Sequence, residues 1–257
     1  MKTVKKLQKQ MAVVLFVGAT AFLSTCPFVA ADAQNDVSAL TQAWEEAARF
    51  ADSHREAWNE IWTAFDVHAD VAEAIVFPEM LRYSALQDQL ETTAVGGTYV
   101  TMGSKGFDFS IGRFQMKPSF VERLEKRWMK SAYPSQYDAY FDTDDTRMAR
   151  RVRLSRIEDE IWQCVYVAMF IKLTYIDYQG LADLPVEEQV RLVATAYNRG
   201  TIAVVSGGGS IETLHKWANQ RFFYTALLPT KDVQRYVYAD LAWQRFVQAK
   251  KQQKNDE

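Results

Sequence analysis

The chain has 257 residues, a formal net charge of −2 at pH 7, 48% hydrophobic residues and 24% charged ones. That composition belongs to a globular protein long enough to bury a core without disulfide or metal staples. The near balance of charge gives no general electrostatic reason to expect a nucleic-acid partner.

The N-terminus reads as a targeting segment. Lys2, Lys5, Lys6 and Lys9 precede the apolar run MAVVLFVGATAFLSTC, and Ala31-Asp32-Ala33 supplies a small-x-small cleavage pattern. Residues 1–33 are therefore expected to be a signal peptide that exports the chain to the periplasm or cell envelope. The run is short for a membrane span, and an uncleaved N-terminal anchor is the alternative. Leu23-Ser24-Thr25-Cys26 loosely follows a lipobox, so a lipid anchor at Cys26, tethering the protein to the membrane, is a further outcome. Cleavage after Ala33 leaves Cys164 as the one remaining cysteine and allows no internal disulfide. Its setting, IWQCVYVAMF, is that of a buried structural thiol.

Residues 34–257 read as one all-α domain. Trp44, Phe50, Trp58, Ile61, Trp62 and Phe65 recur at helical spacing over residues 43–65. A second helical stretch covers residues 71–92 with Pro78 inside it, which predicts a kink or two abutting helices. An interrupted region follows to Lys117, with a short strand pair expected around Gly97–Val100. Pro118 then opens PSFVERLEKRWMK as the first-turn proline of a new helix. The longest predicted helical run spans residues 145–180 and begins with Arg147, Arg150, Arg151, Arg153 and Arg156. That cluster reads as a solvated helix face or as a surface for an anionic polymer. Pro185 opens another helix that Gly200 stops, SGGGS at 206–210 reads as a turn, and helices near 211–219 and 232–250 finish the chain.

The usual catalytic signatures are absent from the sequence. His54, His68 and His215 are isolated, no His pair has metal-ligand spacing, and there is no CxxC, so neither a metal nor another cofactor is implied. There is no GxSxG and no Cys–His candidate once Cys164 is set aside. Acid–base chemistry falls to carboxylates. Glu79, in AIVFPEMLRYS, follows a solidly apolar tetrapeptide. A carboxyl against apolar surface resists ionisation, which is the environmental route to a general acid. Glutamate after a helix-starting proline also has a plain structural reading, and the helix dipole there would lower its pKa.

The segment GFDFSIGRFQMKPSF changes the weight of that carboxylate. Ser110, Gly112, Gln115, Met116 and Pro118 resemble, in order and spacing, the Ser-x-Gly-x-x-Gln-hydrophobic-x-Pro segment of the lytic transglycosylases and goose-type lysozymes. ATAYNRG, through Ala196, Tyr197, Asn198 and Gly200, is similar to the Ala-Tyr-Asn-x-Gly signature of the same family. A weaker likeness is carried by Pro229, Thr230, Asp232, Tyr236 and Val237 in LPTKDVQRYV. The resemblance covers residues 72–237 and implies a lysozyme-like helical domain with a substrate groove and at most a minor β-hairpin.

It also implies an activity: cleavage of the β-1,4 bond between N-acetylmuramic acid and N-acetylglucosamine in peptidoglycan glycan strands, the implied partner. The family's catalytic glutamate precedes the glycine–glutamine segment, which assigns Glu79. Two departures keep Glu91 as an alternative catalytic residue. Met80 stands where the family has serine, and Glu79 lies thirty-six residues before Gln115, further than is usual. By the same resemblance Ser110, Gly112, Gln115, Tyr197 and Asn198 contact substrate. Gln115 would bond the sugar acetamide, Tyr197 would orient the glutamate or the acetamide, and Gly112 would let the backbone come close. Asp108 is the candidate second carboxylate, with a loop aspartate that caps backbone groups as its structural alternative. Phe107, Phe109 and Phe114 offer aromatic faces. A hydrolytic muramidase, and a catalytically silent peptidoglycan-binding or envelope-assembly protein working within an envelope machinery, are the competing readings.

Overall fold

The computed structural model describes residues 32–86, 92–106, 108–133, 137–200, 209–223 and 235–256. Residues 1–31 with Cys26, and Glu91, Phe107, Pro229, Thr230 and Asp232, lie outside them. The chain divides into two compact units, Met1–Asn35 and Asp36–Glu257.

The described residues are predominantly helical. In chain order they form α1 (Asp32–Ala64), α2 (Ala69–Leu86), α3 (Thr92–Met102), α4 (Pro118–Trp128), α5 (Arg147–Glu158), α6 (Glu160–Asp177), α7 (Val186–Arg199) and α8 (Ile211–Ala218). A two-stranded antiparallel ribbon, β1 (Arg221–Phe223) and β2 (Tyr236–Val237), leads into α9 (Tyr238–Asp256). Among the described residues no helix is long and apolar enough to cross a membrane.

At the centre lies α6, buried on all sides from Gln163 to Leu173 apart from Lys172. A helix apolar around its whole circumference must be surrounded, and α2, α4, α5 and α7 pack on it. The outer helix α9 lies against α2 and α7. Trp58 and Trp62 of α1 are fully buried, and their indole nitrogens donate to Glu160 Oε1 and the Cys164 carbonyl at 2.7 and 3.2 Å. Both ends of the contact are thus apolar bulk with a satisfied polar tip. Cys164 is buried, and burial pushes its thiol well above the ordinary range.

Four expectations need correction. The helix around Glu79 runs unbroken through Pro78, so Glu79 sits about three turns inside α2 rather than at a helix start. No helix N-terminus is there to lower its pKa. The strand pair expected near Gly97 is instead part of α3. Its sequence is poor in helix formers, but Tyr99 is fully buried and bonded between Glu122 (2.9 Å) and Arg153 (3.0 Å), and that tertiary anchoring overrides weak propensity. The long run after residue 145 breaks at Asp159, whose carboxylate caps α6 by accepting from Trp162 N. Finally, the basic cluster is not wholly solvated, although Arg147 and Arg151 are exposed. Arg153 and Arg156 are buried and converge on the buried Glu125 of α4, at 2.7 and 3.3 Å.

Candidate functional site

The segment that interrupts the helices is a tight hairpin loop. Ile111 and Met116 exchange backbone hydrogen bonds, both 2.9 Å, and close the four residues Gly112-Arg113-Phe114-Gln115. Gly112 and Gln115 take left-handed φ angles of 73° and 51°. For Gln115 this costs about 1 kcal/mol, so the surroundings must over-determine the loop. They do so at each residue. The guanidinium of Arg113 stacks between Phe50 and Tyr83, 4.0 and 4.2 Å from the ring centres. Phe114 is buried edge-on against Trp58; its N–H donates to Gln163 Oε1 and its carbonyl accepts from the Tyr197 hydroxyl, both at 2.8 Å. Gln115 Nε2 donates to the Gly112 carbonyl at 3.0 Å.

The core by itself requires a glycine at position 112. A Cβ there would lie 1.7 Å from Gln163 Nε2, and Gln163 is held in turn by the Ile157 carbonyl at 2.7 Å. Gly112→Ala is therefore expected to cost about 3 kcal/mol, from the clash and the positive φ together. Denaturant unfolding reads this directly, and a cost below about 1 kcal/mol would remove the explanation.

This loop forms one side of a groove of about 440 Å³. Glu79 and Arg82 enter it from α2; Asp108, Ser110, Gln115 and Lys117 from the segment before α4; Ser119, Phe120 and Arg123 from α4; and Tyr197 to Gly200 from the end of α7. Of the residues singled out in the sequence, Glu79, Asp108, Ser110, Gln115, Tyr197 and Asn198 share this groove. Gly112 is not among its lining residues, Phe114 points into the core and Phe109 is exposed. The α7 end is shaped by Gly200, whose φ of 59° ends the helix as a left-handed cap.

Glu79 is 7% exposed, and its Oε2 is buried with no hydrogen-bond partner. Burial raises its pKa to about 7; the Arg82 charge, the Tyr238 hydroxyl and the Lys117 charge, which favour the carboxylate, offset only part of this. The Tyr238 hydroxyl at the start of α9 donates to the Ile75 carbonyl, one turn before Glu79, at 2.9 Å. Burial and the nearby Glu79 together hold the Tyr197 phenol well above its ordinary range, so near neutrality it is a donor. Its proton is on the Phe114 carbonyl, and its ring is wedged edge-on by Phe120 and Phe170. Tyr197 thus fixes the loop to α7.

Asp108 has a settled structural task. Its two carboxylate oxygens accept from the Ser119 N–H (2.8 Å) and hydroxyl (2.7 Å). Lys117, at the N-cap position of α4, makes no side-chain cap bond, so Asp108 caps that helix from a distance. The groove is basic apart from these two acids: Arg82, Lys117, Arg123 and Arg199 line it.

No family model, curated protein or solved structure matches the chain.

Sequence reasoning did not single out Arg82, Lys117, Arg123, Arg199, Gln163 or Tyr238. Arg82 had a signal, since it lies three residues after Glu79 and so on the same helix face. Gln163 had none, because the loop residue that it holds, Phe114, lies forty-nine residues away in the chain.

Proposed function

We propose that this chain is an exported peptidoglycan-cleaving enzyme, a lytic transglycosylase on a lysozyme-like helical fold, with Glu79 as its catalytic acid. The observation that carries the reading is a buried carboxyl titrating near pH 7, with an unpartnered oxygen, on a polar groove. A carboxyl protonated at neutral pH can give its proton to the glycosidic oxygen as the β-1,4 bond between N-acetylmuramic acid and N-acetylglucosamine breaks. The resulting carboxylate then takes the proton of the muramoyl C6 hydroxyl as that oxygen attacks C1. The product is a 1,6-anhydro sugar; no water is consumed, and Glu79 ends as it began.

Single-carboxylate chemistry suits this groove. A hydrolase of the inverting type needs a second carboxylate to activate water, and Asp108 has both oxygens engaged by Ser119. Gln115, with its amide nitrogen held by the Gly112 carbonyl, has an amide oxygen to offer a sugar acetamide N–H. Asn198 and Ser110 add neutral hydrogen-bonding groups. The four cations of the lining favour a glycan carrying carboxylates, as peptidoglycan does on its stem peptides.

Digestion of purified peptidoglycan tests the reading. Anhydro-muropeptides, one water lighter than their reducing-end counterparts, are the expected products. Reducing ends would mean a muramidase, and absence of soluble product a binding or envelope-assembly protein. Asp108→Ala adds a sharper expectation: a loss of about 1 kcal/mol of stability from the cap, with anhydro products unchanged. A selective loss of activity at unchanged stability would instead make Asp108 catalytic.

A further inference from the structure

The charge of the groove is out of keeping with the chain around it. The protein carries a formal −2, yet Arg82, Lys117, Arg123 and Arg199 line one groove whose acidic members are Glu79 and Asp108. Asp108 has both oxygens engaged by Ser119, and Glu79 is buried with one oxygen unpartnered. Cations gathered in a concave space repel one another, and the field they focus there draws an anion.

These cations are not equivalent. Arg199 is bonded to Gln220 and lies over the Trp217 ring, 5.4 Å from its centre, so it is committed to α8 and the residues just after it. Arg123 and Lys117 make no ion pair among the described residues. Arg127, one turn further along α4, shows the contrast, since Asp177 neutralises it at 2.5 Å. Arg123 instead gives one N–H, from Nη2, to the Gly200 carbonyl at 3.3 Å. That bond ties the guanidinium to the cap of α7. A guanidinium carries several N–H donors in a rigid fork. Held at one corner and only half-buried, the fork keeps an edge that fits the two oxygens of a carboxylate. Lys117 is exposed and makes no cap bond with α4, so its charge is also open to a ligand.

We infer that Arg123, with Lys117 in the same groove, is a specificity-determining residue that binds a carboxylate carried by the glycan strand. The inference rests on the proposed action on peptidoglycan and adds the chemical group that the groove selects. Such a carboxylate has two sources. One is the lactyl group of N-acetylmuramic acid, ionisable only where the stem peptide has been removed; the other is the stem peptide itself. A chito-oligosaccharide has the same β-1,4 backbone and acetamides but neither carboxylate.

Calorimetry on full-length Glu79→Gln protein, which leaves its ligands intact, measures the affinity for three soluble oligosaccharides of equal length: chito-oligosaccharide, peptide-free glycan and peptide-bearing glycan. A carboxylate-bearing ligand is expected to bind about tenfold tighter than the chito-oligosaccharide, and Arg123→Gln to erase that advantage. Tight binding of the peptide-free glycan assigns the lactyl carboxylate; tight binding of the peptide-bearing glycan alone assigns the stem peptide. Equal affinity for all three, no binding of any, or an advantage that survives Arg123→Gln overturns the inference. If Arg123→Gln does not fold, Lys117→Gln and added salt read the same point. Each should shrink the advantage about threefold, and an advantage unmoved by both overturns it. None of this needs turnover. Carboxylate-dependent binding without cleavage by the unmodified chain upholds the inference and defeats the proposed activity, and cleavage without carboxylate-dependent binding does the reverse.

Discussion

Glu79→Gln is expected to lower the rate of glycan-strand cleavage by about 10³-fold, the range lost with a general acid, while leaving the fold intact. Glutamine has the shape of the neutral acid and no proton to give. The same substitution has a stability signature that does not depend on activity. The folded pKa of Glu79 is about 7 against an ordinary 4.5, so above pH 4.5 the folded state must either bind a proton the unfolded chain has lost or bury a charge. The unmodified protein therefore loses stability as pH rises from about 4.5 to 7 and is level beyond, a total of about 3 kcal/mol. Glu79→Gln removes that slope, so it should be close to the parent in stability at pH 4 and clearly more stable at pH 8. Parallel denaturant unfolding at the two pH values measures the difference. Glu91→Gln should leave cleavage unchanged; if instead it abolishes cleavage while Glu79→Gln keeps it, the acid has been assigned to the wrong glutamate.

The second large effect lies away from the groove. Glu125 is fully buried and accepts from Arg153 Nε (2.7 Å), Arg156 Nη1 (3.3 Å) and the Tyr166 hydroxyl (2.6 Å). Both arginines are buried as well, tied also to the carbonyls of Asp142 and Tyr140. Removing the carboxylate leaves two guanidinium groups in the core without their counter-charge. Glu125→Ala is expected to cost about 3–5 kcal/mol, seen as a fall in Tm of about 10 °C or more. Replacing Glu125, Arg153 and Arg156 together by apolar residues should recover much of it, because burying no charge avoids the desolvation cost altogether. A loss from Glu125→Ala below about 1 kcal/mol would contradict this. The network joins α4 to α5 and α6, and α4 carries Ser119, Phe120 and Arg123 of the groove wall. The triple replacement thus asks whether the groove needs these charges or only the packing they provide.

What the sequence made legible was what local rules control. Pro185 and Gly200 bracket α7 as expected, because a helix start and a left-handed stop depend on a few adjacent residues. The irregular loop from Gly112 to Gln115 was visible for the same reason. Its purpose was less visible: Gly112 is required by Gln163, a residue of another helix, and no pattern near Gly112 points there. Pro78 misled in the same way. Proline weakens a helix locally, but Val76, Phe77, Met80 and Leu81 on either side are buried to 1% exposure or less, and that packing holds α2 together across it. Arg153 of α5 looked like part of a surface, since spacing along a helix does not reveal a partner twenty-eight residues upstream. Glu79 stood out by its apolar neighbours, and burial does raise its pKa. Tyr238 could not be found that way, because its bond to the Ile75 carbonyl exists only once α9 is folded against α2.

The most direct test of Glu79 as a proton donor is to measure the rate of peptidoglycan cleavage and the Glu79 carboxyl titration across pH 5 to 9 in the same buffers. The rate is expected to fall above about pH 7, with its midpoint where the carboxyl ionises. A rate that holds or rises through pH 8 while Glu79 ionises near 7, or no cleavage at any pH with Glu79 protonated, would contradict it.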